Sequence, residues 1–299
     1  MLSAPVRRIL AAVTLPAILA LSSCTAGPGQ AIHARQVAAG QSNPSTPPST
    51  PSIAPSAAPS TLPSATPSIL PSATAKPAPG SLEWYVSQVP TFPEPPPPQP
   101  VLLPPTTDTA PFWHRLPTEQ KVAFITIDDG GLARPPAVAD FIWRAHIPVT
   151  LFLNSPAAEE HDVYFRQIEV AGGVVESHTI NHNSLAGRSY DYQKREICGA
   201  ADKLETLFGK RATLFRPPFG NHDATTLRAA HDCGAKAVFH WSETVHEGKV
   251  RYQTPEKVVQ PGDVLLMHFR PALMDDLLAA LKAIHRAGLT PALLEDYVR

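Results

Sequence analysis

Val122-Ala123-Phe124-Ile125-Thr126-Ile127-Asp128-Asp129-Gly130-Gly131 decides how the rest of the chain is read. An apolar run stops abruptly at two adjacent carboxylates and a glycine pair. Val122 to Asp129 predicts a buried strand. Side chains alternate along a strand, so Asp128 and Asp129 leave in different directions. One can bind a cation while the other faces a reactant. An ordinary Asp-Asp-Gly turn has the same composition, and the residues further along separate the two readings.

From about Pro111, apolar runs alternate with amphipathic stretches. Pro135-Pro136 opens a helix carrying Val138, Phe141, Ile142 and Ala145 at helical spacing. Val149 to Leu153 reads as the next strand. A helix around Asp162 to Ala171 ends at Gly172-Gly173, and Val174-Val175 leads a short strand into Glu176-Ser177-His178. A helix from about Tyr192 to Phe208 stops at Gly209. Thr213 to Arg216 is a strand, and Asp223 caps a helix running to Cys233-Gly234. Lys236 to Trp241 and Val264 to His268 are further strands, separated by a longer irregular segment. A leucine-rich last helix leads to a strand near Thr290 to Leu294. This βα alternation implies parallel strands linked by helices. About 190 residues suffice for one core but fall short of the usual eight-unit barrel. In such folds the site lies at the C-terminal ends of the strands. Asp128, Asp129, His178, Arg216 and His268 all end strands in this reading.

His178-Thr179-Ile180-Asn181-His182 spaces two imidazoles four apart, which sets them on one side of a helical turn where both can reach one cation. With a strand-end Asp they form a two-His, one-carboxylate set that leaves coordination positions open for water and substrate. No Glu follows the first His, so the zinc-protease pattern His-Glu-x-x-His is absent.

These residues resemble the polysaccharide deacetylases of carbohydrate esterase family 4, the NodB-like domain. The resemblance covers about residues 120–299. The family's Thr-Phe-Asp-Asp-Gly motif corresponds to Thr126-Ile127-Asp128-Asp129-Gly130, and His-Ser/Thr-x-x-His to His178 through His182. Arg-x-Pro-Tyr resembles Arg216-Pro217-Pro218-Phe219-Gly220, and Leu-x-His resembles Leu266-Met267-His268. The resemblance implies an incomplete, distorted (β/α) barrel of about seven βα units. It implies Asp129, His178 and His182 as ligands of one divalent metal ion, zinc first, with cobalt or another divalent ion as alternatives. Asp128 would be the general base and His268 the general acid, with Arg216 holding Asp128. The backbone N–H of Phe219 would help bind the oxyanion, and Leu266 would line the acetyl methyl pocket. The chemistry suits each residue type, since a cation polarises the carbonyl, a carboxylate takes a proton and an imidazole protonates the departing amine.

The fourth motif departs from the family. An Asp-x-x-x-Trp segment usually supplies the Asp that orients the catalytic His; here the region reads His240-Trp241-Ser242-Glu243-Thr244-Val245-His246-Glu247. Glu243 could take that role through one more methylene, or a different group could hold His268. Trp241 is placed with the substrate-facing residues. His114, His161, His231 and His285 read as surface residues, whereas His222 and His246 lie near the motifs.

Ahead of this domain the composition changes. Arg7 and Arg8 precede an apolar run from Ile9 to Leu21, too short for a comfortable membrane span and suited to a signal-peptide core. Leu21-Ser22-Ser23-Cys24 resembles the bacterial lipoprotein processing box. The expectation is therefore an exported protein, anchored to a membrane at the cell surface or envelope by lipid on Cys24, or else secreted. Residues 25–110 hold most of the 35 prolines and are expected to form a disordered Pro/Ser/Thr/Ala-rich linker between the signal (1–24) and the catalytic domain (111–299). Within it, the aromatics of Leu82-Glu83-Trp84-Tyr85-Val86 could dock on the domain. Cys198 and Cys233 remain either as a disulfide or as two buried thiols. A net charge of −1 gives no reason to expect nucleic acid, and no protein partner is expected. The expected partner is a polysaccharide. Metal-dependent removal of N-acetyl groups from peptidoglycan is the leading activity, with chitin-like oligomers next. O-acetyl xylan esterase action, inactive glycan binding and an iron oxygenase are the competing readings.

Overall fold

The computed structural model describes residues 76–103 and 108–298. The expected signal, Cys24 and the linker as far as residue 75 lie outside the described residues. The chain forms helix α1 (Leu82–Gln88), strands β1 (Phe112–Trp113) and β2 (Val122–Asp129), α2 (Val138–Ala145), β3 (Thr150–Leu153), α3 (Ser155–Glu160), α4 (Asp162–Val170) and β4 (Val174–Ser177). It continues through α5 (Tyr190–Phe208), β5 (Leu214–Phe215), α6 (Ala224–Asp232), β6 (Ala237–Phe239), β7 (Glu243–His246), β8 (Lys249–Tyr252), β9 (Val264–His268), α7 (Leu273–Arg286) and β10 (Thr290–Ala292).

These strands make one sheet in the order β1-β6-β5-β4-β3-β2-β9-β7-β8, with β10 also paired to the start of β2. Every pairing between named strands is parallel except the β7–β8 hairpin. The sheet curls into the incomplete (β/α) barrel that the family resemblance implies. Strand β2 lies at its centre, buried along its length until Asp129. Its residues alternate between two cores. Ala123, Ile125 and Ile127 pack outward with Phe141, Leu277 and Leu281 of the helices. Val122 and Phe124 pack inward with Phe152, Leu214, Phe239 and Tyr297. Fully burying side chains of this size contributes about 1.5–3 kcal/mol each. Period-two spacing carries the inward row on through Thr126 to Asp128, so the barrel interior changes from apolar at its base to polar at its mouth.

Three expectations are corrected. The irregular segment after Trp241 contains the β7–β8 hairpin, whose turn is made by Glu247 and Gly248, both with positive φ. The residues around His178–His182 form a loop rather than a helical turn, with Thr179 at φ 73° and His182 at φ 54°. The expected linker is in part ordered. Ser81 caps α1 by accepting from the Trp84 amide, Tyr85 is buried against Phe141, and its hydroxyl donates to Asp275 Oδ1 at 2.7 Å. The following strap is fastened to the domain by the amide of Val101 donating to the Tyr297 carbonyl and by Thr290 Oγ1 donating to the Pro93 carbonyl. The docking that the aromatics of Leu82–Val86 allow is what makes ordering favourable here.

Cys198 on α5 and Cys233 after α6 form a disulfide, with Cα atoms 4.9 Å apart.

Candidate active site

Asp128 is almost fully buried (3% exposed) at the end of the inward row of β2, directly opposite His268 of β9 in the strand register. Arg216, fully buried, donates from Nη1 to Asp128 Oδ1 at 2.6 Å and to Thr126 Oγ1 at 2.9 Å, and from Nη2 to the His240 carbonyl at 2.9 Å. Its guanidinium lies over the Phe152 ring, 4.3 Å from the centroid. Burial draws the Arg216 pKa down and the Asp128 charge draws it back up. The result is a carboxylate fixed by a charge-assisted hydrogen bond in a site poor in water, where such a bond is strong.

Asp129 takes φ 77°, and this left-handed turn throws its carboxylate toward the His178–His182 loop. Asp129 Oδ1 lies 3.0 Å from His182 Nε2 and 3.5 Å from His178 Nε2. One candidate ligand atom from each of Asp129, His178 and His182 falls within 4.8 Å of the others. The His178 ring nitrogen Nδ1 is 2.7 Å from the Arg216 carbonyl, which fixes Nδ1 as the protonated nitrogen and turns the Nε2 lone pair toward Asp129. Asp129 Oδ1 is buried and lacks a hydrogen-bond donor among the described residues. An orphaned carboxylate oxygen facing two imidazole nitrogens fits a divalent cation such as zinc. Burial works against the Asp129 charge, but His178 and His182 hold its pKa far below the usual range. Asp129 in turn raises that of His182.

The loop is held from outside the motif. Glu196 of α5 accepts from the Asn181 amide at 2.9 Å and from Asn181 Nδ2 at 2.7 Å, while Thr179 Oγ1 accepts from the His182 amide at 3.1 Å. Asn154 donates from Nδ2 to the Asp129 carbonyl at 3.0 Å. Glu196 and Asn154 escaped the sequence reading because each is an ordinary helix or loop residue whose role depends on a distant partner.

Phe219 takes φ 60° in a tight turn, with an exposed ring 4.8 Å from the His182 ring. Its N–H serves no hydrogen bond among the described residues. Leu266 is buried on β9, and Trp241 stacks on His240. The His268 ring, near the mouth, makes no hydrogen bond among the described residues. Burial lowers its pKa, opposed by the charges of Asp128 and Asp129 and assisted by Arg270.

Glu243 does not orient His268. The β7–β9 register sets Glu243 beside Leu265, three residues short of His268. Its carboxyl is fully buried, neither oxygen meets a donor, and its neighbour is Asp263. Burial first, and then Asp263, pushes it up to about 9.

A cavity of about 920 Å³ is lined by Phe92, Pro95, Pro148 and Thr290 and contains none of the site residues. The polar cluster, rather than cavity size, therefore marks the site.

Fold and site together define an α/β protein whose chemistry-bearing residues converge at the carboxyl ends of a parallel sheet. A family model for polysaccharide deacetylase matches residues 115–238. An uncharacterized protein of Streptomyces coelicolor (SCO4760) is 36% identical over 201 residues, or 66% of this chain and 78% of that protein. The peptidoglycan-N-acetylglucosamine deacetylase of Bacillus cereus is 29% identical over 153 residues, or 49% of this chain and 55% of that enzyme. Among solved structures, the Bc1960 peptidoglycan N-acetylglucosamine deacetylase superposes with a TM-score of 0.53 at 21% identity, covering 63% of this chain and 92% of that one, which bears on the fold alone. The chain belongs to the polysaccharide deacetylase family, whose domain is matched over residues 115–238.

Proposed function

We propose that this protein hydrolyses N-acetyl groups from a cell-envelope polysaccharide, peptidoglycan first and chitin-like oligomers next. The observation that carries the reading is the orphaned Asp129 Oδ1 between His178 and His182, one residue from the carboxylate clamped by Arg216. Asp129, His178 and His182 would hold one divalent cation, zinc first. When bound, such a cation supplies Lewis-acid polarisation of the acetyl carbonyl and lowers the pKa of water toward ~7. Asp128 accepts the proton from the attacking water, with Arg216 keeping the carboxylate aligned. The Phe219 N–H donates to the developing oxyanion, which is most effective in a preorganised, partly dry cleft. Leu266 faces the acetyl methyl, Trp241 walls the cleft, and His268 gives its proton to the departing amine. Lipid on Cys24 would keep the domain at a membrane surface within reach of the envelope polymer.

The test is acetate release from acetylated peptidoglycan, chitin oligomers and xylan by metal-loaded and chelated protein. Release from a glycan in the loaded form, with at least ~100-fold loss on chelation and in Asp129→Asn, is the expected outcome. Equal release after chelation and dialysis would defeat it.

A second reading, glycan binding without chemistry, is favoured by the lack, among the described residues, of a carboxylate hydrogen-bonded to His268 in the place of the fourth-motif Asp. Asp128→Asn separates the two. Unaltered glycan affinity, with no turnover in either form, would select binding alone.

A further inference from the structure

His240 opens the altered fourth-motif segment without a role assigned from the sequence, yet it touches both halves of the site. Its carbonyl accepts from Arg216 Nη2 at 2.9 Å, behind the hydrogen bond that fixes Asp128. Its imidazole lies against Gly220. A Cβ added at Gly220 would overlap His240 Nε2 and approach Trp241 Cη2 within 3.3 Å, so only glycine admits the ring there, at φ 69°. Gly220 follows Phe219, which is itself left-handed at φ 60°.

The ring is itself wedged in place. Trp241 stacks on it at 3.8 Å with the planes 10° apart, and the His114 ring meets it edge-on at 4.4 Å. Phe112 of β1 lies 5.9 Å away and stacks at 3.8 Å on His222, whose Nδ1 is 3.0 Å from the Gly220 carbonyl. Rings from β1, from the end of β6 and from the segment after the turn thus enclose Gly220. Burial, with His114, Arg216 and His222 nearby, pushes His240 down to about 4, so a neutral ring presses on the turn and brings no charge to it.

We infer that His240 is a positioning residue that couples the Arg216–Asp128 clamp to the Phe219 turn, so that general base and oxyanion donor keep one fixed spacing. The inference rests on the deacetylase reading for its kinetic consequence but not for its structural one. Shifts of ~1 Å in such groups cost up to ~100-fold in rate. A turn that only loosens should cost less.

The experiment uses full-length protein with His240→Ala and His240→Gln, the Gln amide reaching the position of Nε2. Three quantities are measured: kcat and KM for acetate release, bound metal per chain, and hydrogen exchange of the amides from Arg216 to His222 in metal-free protein. In His240→Ala, kcat should fall about tenfold, with KM and metal content within about twofold, and exchange across the turn should quicken about tenfold. His240→Gln should restore both. Unchanged kcat and exchange in His240→Ala would overturn the inference. So would a fall in kcat that only tracks lost metal or that Gln fails to rescue. If the wild type releases acetate from no glycan while exchange responds as stated, the deacetylase reading fails and the coupling stands.

Discussion

Asp128 and Glu243 are both carboxyl groups sealed inside the same sheet, each on a strand that pairs with β9, and their environments differ in one respect. Asp128 meets the guanidinium of Arg216. Glu243 meets a second acid, Asp263, whose nearest cation, Arg115, pairs with Asp263 through Nε at 2.5 Å and is 41% exposed. Burial alone therefore does not make a buried acid a base. The partner decides whether the group is a charge held ready for proton transfer or a neutral acid within the fold.

The largest test of this contrast is Arg216→Met. It leaves Asp128 buried and uncompensated, for which about 3–5 kcal/mol of stability should be lost. Turnover should fall at least ~100-fold, read by acetate release alongside thermal unfolding. Retention of both would show that the clamp is incidental. Glu243→Gln should act on the pH profile instead. Glu243 has a folded pKa of about 9, above its ordinary value of 4.5, so its contribution to stability is complete below about 4.5 and is lost as pH rises through about 9. Wild-type Tm should consequently decline between neutral pH and pH 9.5 more steeply than that of Glu243→Gln. Turnover of the variant at pH 7 should stay within about twofold of wild type, since Glu243 does not reach His268. A larger kinetic loss would restore Glu243 to the mechanism. The smallest effect belongs to Arg115→Gln, which removes a partly exposed counter-charge. It should cost about 0.2–1 kcal/mol, less in high salt, without a change in kcat. A cost that ignores salt would place Arg115 deeper in the network than its exposure indicates.

The βα order was legible because Val122–Asp129 and Val264–His268 are long apolar runs that only a buried parallel sheet accommodates. The Asp129, His178 and His182 cluster was legible by residue type, although the geometry that gathers it was misread. His178 and His182 meet through a loop secured by Glu196, and helical spacing plays no part. Glu243 was misplaced because proximity to Trp241 in the chain says nothing of register, and the register aligns Glu243 with Leu265. The β7–β8 hairpin was hidden by its mixed polar pattern and half-exposed second strand. The Cys198–Cys233 bridge could be settled only once α5 and α6 were seen to be neighbours.

The docked α1 strap sets how the domain would bear mechanical load. Tension along the backbone at Lys76 enters through Tyr85 and its hydrogen bond to Asp275 on α7. The next residue, Asp276, accepts from the Gly248 amide at the tip of the β7–β8 hairpin. Force on a tether would thus divide at α1, one share passing to α7 and the hairpin and the other through Phe141 and the Arg144–Glu83 pair to α2, which packs on strand β2.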